Sequence, residues 1–125
     1  MKKIISTDKA PGAIGPYSQG VSAEHIVWTS GQLPIDMQSG NLETADIKKA
    51  TKYSLENCKS ILEAQGASLD DVIKTTVFMK DLSEFTAMNE VYAEYFKTNP
   101  PARSCVQVAA LPKNAGIEIE CIAII

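Results

Sequence analysis

Apolar and polar positions repeat with two different periods along this chain, and the changes of period divide it into elements. Short stretches rich in β-branched and aromatic residues predict strands, because these side chains suit a pleated sheet. Six such stretches are present, at Lys3–Ser6, Gln19–Ser22, His25–Ser30, Val72–Met79, Ser104–Ala109 and Ile117–Ile124. Turn-forming residues favour loops at Ala10–Ser18, Leu33–Asn41 and Pro112–Gly116. The second and third strands are expected to form a hairpin.

Two longer segments show the three- and four-residue spacing of an amphipathic helix. In Thr44–Gln65 the stripe consists of Ile47, Ala50, Ser54, Leu55, Cys58, Ile61, Leu62 and Gln65. Gly66 follows as a natural helix stop, and Ser68 with Asp71 resembles a capping pattern. In Ser83–Lys97 one face carries Phe85, Met88, Tyr92, Tyr95 and Phe96.

The resulting order, βββαβαββ in a single domain of residues 1–125, predicts an α/β (α+β) two-layer sandwich. Both helices are expected on one face of the sheet. In the last strand one face carries Ile117, Ile119, Cys121, Ala123 and Ile125, and the other carries Glu118, Glu120, Ile122 and Ile124. Because two helices cover only one face, we expect the second face to pack against another copy of the chain.

Composition and charge argue against several functional classes. The chain has 125 residues with a net charge of −3, which argues against a nucleic-acid-binding surface. Its three cysteines, Cys58, Cys105 and Cys121, form no CxxC pair and are odd in number, so they indicate reduced thiols and a cytoplasmic protein. No apolar run approaches the roughly 18 residues of a membrane span. Lys2 and Lys3 precede no apolar segment of the kind found in signal peptides.

Arg103 is the first candidate for binding chemistry. Pro100 and Pro101, which Ala102 separates from Arg103, must stop the preceding element, and the strand that follows would draw Arg103 into a partly buried position. An unpaired buried charge is expensive, so the guanidinium needs an anion. Its planar fork suits a carboxylate held through two parallel hydrogen bonds. The sequence leaves open whether that carboxylate is an internal Asp or Glu or belongs to a ligand.

The other chemistry-bearing residues give weaker signals. His25, the only histidine, lies at a turn and has no partner for a catalytic triad or a zinc site. Cys105 shares a strand face with Arg103, and a nearby cation could lower the thiol pKa. Without a histidine base, however, a covalent role for Cys105 is the less favoured interpretation. Cys58 belongs to the helix stripe and is expected in the core. No metal site is predicted.

Five segments together carry a resemblance to a known family. They are Ala13–Gly20 (AIGPYSQG), Thr29–Pro34 (TSGQLP), Lys74–Leu82 (KTTVFMKDL), Pro101–Val106 (PARSCV) and Ile117–Glu120 (IEIE). From about Ile4 to Ile124 the chain resembles the RidA (YjgF/YER057c/UK114) family, often described as endoribonuclease L-PSP. The resemblance implies a chorismate-mutase-like fold, a homotrimer with clefts between subunits, and no cofactor. It also implies a 2-iminobutanoate/2-iminopropanoate deaminase, which releases 2-keto acids and ammonia.

The resemblance also assigns roles to individual residues. It places carboxylate binding at Arg103, a cleft tyrosine at Tyr17 and the acid that holds water at Glu120. Further substrate-binding positions fall on Ser30, Gly31, Asn89 and the backbone donor Cys105. An imino acid would then dock on Arg103, which fixes its C2 atom, and Glu120 would orient or deprotonate the attacking water.

Two other functions are alternatives to the deaminase. A non-catalytic protein that senses 2-keto acids would bind them through Arg103 in the same cleft, and a fold does not guarantee turnover. An endoribonuclease is disfavoured by the acidic balance and by the absence of a basic and aromatic stripe. The sequence cannot test a chaperone role.

Overall fold

The computed structural model describes residues 1–125. It shows a mixed six-stranded sheet with two helices packed on one face. The strands are β1 Lys3–Ile5, β2 Gly20–Ala23, β3 Ile26–Thr29, β4 Val72–Met79, β5 Ala102–Gln107 and β6 Ile117–Ile124. The helices are α1 Ile47–Ala64 and α2 Phe85–Tyr95. In space the strands lie in the order β1-β2-β3-β6-β4-β5, and only β4 and β5 are parallel. The predicted two-layer architecture is confirmed.

The ends of α1 follow from local chemistry. The Asp46 side chain accepts a hydrogen bond from the Lys48 N–H at 2.9 Å, so the helix begins at Ile47 rather than at Thr44. At the other end Gly66 adopts a φ of 81°, which a glycine reaches without steric cost, and the predicted stop is confirmed. The capping pattern at Ser68 is also confirmed, since its N–H donates to a carboxylate oxygen of Asp71 at 2.8 Å. The fifth strand begins two residues earlier than predicted, at Ala102.

The core lies between the two helices and the central strands. Its fully buried members include Val27 of β3, Val77 of β4, Ile117 and Ile119 of β6, and Leu55 of α1. Each side chain of this size stabilises the fold by about 1.5–3 kcal/mol when it leaves water. Neither helix combines the length and the apolar character that a membrane crossing requires.

The opposite face of the sheet remains accessible in the single chain. Along β6 the buried residues alternate with the partly exposed Glu118, Glu120 and Ile122 and the exposed Ile124, as predicted. Ile125 lies beyond the strand and is 44% exposed, so its assignment to the inner face is wrong. Trp28 pairs in register with Ile122 and extends this apolar surface. We call this helix-free side of the sheet the open face.

One buried polar group in α1 has no partner. The hydroxyl of Ser54 is fully buried and makes no hydrogen bond. Because an unsatisfied buried hydroxyl is costly and alanine is a better helix former, we expect Ser54→Ala to raise the free energy of unfolding by about 1 kcal/mol. Urea unfolding at a fixed protomer concentration measures the change. Ser60→Ala makes the same exchange at a partly exposed position of the same helix, and equal gains in both variants would contradict the role of burial.

Candidate functional site

Arg103 is a partly buried side chain on β5, at the edge of the sheet. Its Nη1 donates a hydrogen bond to Oδ1 of Asn89 on α2 at 2.7 Å. Its Cζ lies 4.7 Å from the ring centroid of Tyr92 and 5.4 Å from that of Phe85. No carboxylate pairs with Arg103. The single salt bridge of the chain joins Lys48 and Glu90. The internal ion pair that the sequence left open is therefore absent, and the other N–H groups of the guanidinium are free for an anion.

Cys105 lies two residues further along β5, partly buried and packed against the core. Burial raises the pKa of its thiol, and the neighbouring Arg103 lowers it by a smaller amount. Arg103 thus lowers the thiol pKa as suggested, but burial outweighs this effect and the net change is upward. A thiol that stays protonated at neutral pH is a poor nucleophile, which agrees with a non-covalent site.

Tyr17, Ser30 and Gly31 come together at a separate cleft of about 660 Å³. Tyr17 is 52% exposed, as expected for an aromatic residue in a turn-rich loop. Ser30 is held in place by two bonds, from its N–H to the Gln19 carbonyl at 2.8 Å and from its hydroxyl to the Ser18 carbonyl at 2.6 Å. The Gly31 N–H donates to no group of the chain and is available to a ligand.

Glu118 also lines this cleft, whereas Glu120 does not. The backbone of Gln32 bridges Ile119 of β6, which brings Gly31 beside this strand, and the side chain of Glu118 lies against Gly31. A Cβ atom on Gly31 would lie only 2.7 Å from Cδ of Glu118, so a larger residue here would displace this carboxyl group. Within the single chain Glu118, and not Glu120, therefore lies in this cleft, and the role expected for Glu120 stays a prediction.

The environment of Glu118 suits proton transfer. Burial raises the pKa of its carboxyl group, and the nearby charge of Glu120 raises it further. A carboxylate with a raised pKa is a stronger base than an exposed glutamate. Sequence reasoning missed Glu118 because both glutamates lie on the same face of β6. The available signal was Gly31, since a glycine beside a strand often marks a close approach of another group.

The two groups of site residues lie on opposite faces of the sheet. Thr75 of β4 pairs in register with Arg103 on one side and with the buried Cys121 on the other, so these residues share the helix-covered face. Glu118 alternates with the buried residues of β6 and lies on the open face. A single chain thus does not bring Arg103, Asn89 and Cys105 to the cleft. The expected proximity of Arg103 to the acidic residue is not met within one chain and stays a prediction for the assembly.

The remaining candidates are structural. His25 is exposed at a turn, and Cys58 is fully buried, both as predicted. The Cys58 thiol donates to the Ile119 carbonyl at 3.3 Å. No cluster of three or more His, Cys, Asp or Glu side chains could hold a metal ion.

Known proteins of the same kind share this sequence and architecture. The family model described as endoribonuclease L-PSP matches residues 7–125. The crystal structure of the E. coli YjgF gene product superposes with a TM-score of 0.93 at 46% identity, over 98% of each chain. This chain belongs to the RidA/YjgF family. The resemblance inferred from its motifs is thereby confirmed.

Two further members of the RidA/YjgF family carry functional information. The human 2-iminobutanoate/2-iminopropanoate deaminase is 48% identical, over 99% of this chain and 90% of its own length. The crystal structure of E. coli TdcF with bound serine has a TM-score of 0.94 and 51% identity, over 98% of each chain. Relatives of this RidA/YjgF protein thus include a named imine deaminase and a protein that binds an amino acid.

Proposed function

We propose that this RidA-family protein hydrolyses small 2-imino acids to 2-keto acids and ammonia. The substrates are 2-iminopropanoate, with its enamine tautomer 2-aminoacrylate, and 2-iminobutanoate. The observation that carries the proposal is the partly buried guanidinium of Arg103, which has no carboxylate partner in the chain. An imino acid supplies that carboxylate. The name of the human relative and the serine bound to TdcF, which also has a carboxylate, support this choice.

The complete site is proposed to form between copies of the chain. Arg103 lies on the edge strand β5, where a second copy can reach it, and the cleft with Glu118 lies on the open face. Contact between β5 of one copy and the open face of another would bury the apolar residues of the open face. It would also bring Arg103 of one copy to the cleft of the other. We propose the homotrimer that the family resemblance implies, with the substrate held in clefts between subunits.

In this arrangement the reaction requires only positioning and proton transfer. The substrate carboxylate binds Arg103, which fixes C2 within reach of a water molecule. Glu118, rather than Glu120, accepts a proton as the water oxygen bonds to C2. The proton is returned to nitrogen, which gives a carbinolamine with one hydroxyl and one amino group on C2. The hydroxyl proton then moves to the amino nitrogen, the C–N bond breaks as the C=O bond forms, and ammonia and the 2-keto acid are released. Hydrolysis of a C=N bond consumes only water, so the proposal includes no cofactor.

A coupled assay tests the proposal. Threonine dehydratase releases 2-iminobutanoate, and semicarbazide traps the imine that has not yet been hydrolysed. The protein is expected to suppress semicarbazone formation in proportion to its concentration. Binding of 2-oxobutanoate without suppression would support a metabolite-sensing protein instead. Neither binding nor suppression would contradict the proposed site altogether.

Subunit mixing tests whether two chains share each site. Arg103→Ala and Glu118→Gln are each expected to inactivate, but each retains the half of the site that the other lacks. Random reassembly of equal amounts should restore about a quarter of wild-type activity, because one interface in four combines the two intact halves. The variants are unfolded, mixed, refolded and assayed. Activity no higher than that of the separate variants would show that sites are not shared.

A further inference from the structure

The guanidinium of Arg103 lies against two aromatic rings of α2. Its Cζ is 4.7 Å from the ring centroid of Tyr92 and 5.4 Å from that of Phe85. We call Phe85 and Tyr92 the aromatic platform. Contacts of this kind stabilise a guanidinium by about 0.5–2 kcal/mol, with the larger values in desolvated places. A ring also restricts the orientation of the guanidinium plane, which a single hydrogen bond to Asn89 cannot do alone.

Tyr92 is itself held firmly. Its hydroxyl is hydrogen-bonded to that of Thr75 at 2.7 Å, and both residues are buried. Its ring packs on Phe96, with centroids 4.7 Å apart. Burial raises the pKa of the phenol, so Tyr92 stays neutral at physiological pH. Thr75 also pairs in register with Arg103 on the neighbouring strand. The ring and the arginine are thus fixed to the same point of the sheet.

We propose that Tyr92, fixed by Thr75, is a positioning residue for substrate binding. The rings of Tyr92 and Phe85 pack against the guanidinium of Arg103, and Asn89 accepts a hydrogen bond from its Nη1. The other N–H groups are thereby presented in a set plane before any carboxylate arrives, which lowers the entropy lost on binding. The role rests on the proposed function, because it serves the carboxylate of the imino acid.

Variants of the platform test this role. Tyr92→Leu removes the ring, Tyr92→Phe keeps the ring without its hydroxyl, and Tyr95→Leu removes another ring of α2 that makes no cation–π contact with Arg103. Loss of the Tyr92 ring is expected to raise the KM for the imine and the Kd for 2-oxobutanoate about tenfold, with kcat changed less than about threefold. Tyr92→Phe is expected to restore both constants to within about threefold of wild type, and Tyr95→Leu should leave them unchanged.

The NMR signal of Arg103 reports on the environment of its guanidinium without any measurement of turnover. Arg103 is the only arginine of the chain, so its Nε–H group gives a single, assignable NMR resonance. We expect Tyr92→Leu to shift and broaden this resonance, and Tyr92→Phe and Tyr95→Leu to preserve it. If Tyr92→Leu does not fold, Phe85→Leu at the partly exposed start of α2 replaces it, with an expected rise of about threefold in Kd.

The outcomes separate this inference from the proposed function. If the wild type hydrolyses imines but Tyr92→Leu binds 2-oxobutanoate as well as Tyr95→Leu does, the positioning role is wrong and the function stands. If the wild type neither hydrolyses nor binds, the proposed function falls, and the Nε–H resonance decides the positioning role. An unchanged resonance in Tyr92→Leu would then overturn that role as well.

Discussion

Arg103→Ala is expected to lower the kcat/KM for imine hydrolysis by more than about 100-fold. Two charge-assisted hydrogen bonds to a carboxylate are together worth about 3–6 kcal/mol, and each 1.4 kcal/mol corresponds to a factor of ten. The loss falls on binding as well as on the reaction, because the same contact fixes the substrate before and during water attack. Semicarbazide trapping gives the rates, and calorimetric titration with 2-oxobutanoate gives the Kd.

Two control variants sharpen the Arg103 experiment. Arg103→Lys keeps the charge without the planar fork, and we expect it to recover only part of the activity. Lys74→Ala removes a cation from the adjacent strand, where the ammonium group donates to the Ser104 hydroxyl at 3.0 Å. It should leave the Kd for 2-oxobutanoate nearly unchanged. An equal loss in Arg103→Ala and Lys74→Ala would show a general charge effect rather than a carboxylate site.

Glu118→Gln is expected to lower kcat by about 100-fold, the usual contribution of a positioned general base. The Kd for 2-oxobutanoate should change little, because the carboxylate binds to Arg103. Glu120→Gln makes the same substitution two residues away on the same face of β6 and should retain most of the activity. If Glu120→Gln inactivates and Glu118→Gln does not, the original assignment from sequence was right.

The pH profile supplies a second signature of Glu118. Burial, and then the charge of Glu120, raise the pKa of this carboxyl group. A base must be ionised, so activity is expected to fall as the pH decreases through the raised pKa, at a higher pH than for an exposed glutamate. Glu120→Gln removes the neighbouring charge that raises the pKa of Glu118, so the fall in activity should occur at a lower pH. A limb that does not respond to Glu120→Gln would point to another titrating group.

Local periodicity predicted most of the fold but only part of the site. The stop at Gly66 and the alternation along β6 depend on neighbouring residues, and both were readable from sequence. Which of the two glutamates lines the cleft of the single chain depends on the contact between Glu118 and Gly31, which are distant in sequence. Alternation assigns both glutamates to one face and cannot rank them.

The contacts of Arg103 were hidden from the sequence for a related reason. The sequence showed that the guanidinium needed a partner but not that Asn89 and the aromatic platform would be its only neighbours within the chain. That depends on how α2 crosses the parallel pair of β4 and β5. Nor could the sequence show that Arg103 and the cleft lie on opposite faces, because this follows from the strand order.

In the proposed homotrimer, the placement of Arg103 and the cleft on opposite faces couples turnover to protein concentration. A separate protomer has no complete site there, so specific activity should decline on dilution below the dissociation constant of the subunits. Substitutions at Trp28 or Ile122, far from any reacting atom, would then lower the specific activity by weakening assembly. A higher protein concentration would restore that activity. The cell could therefore set the capacity for imine removal through the amount of protein it makes, more steeply than in direct proportion.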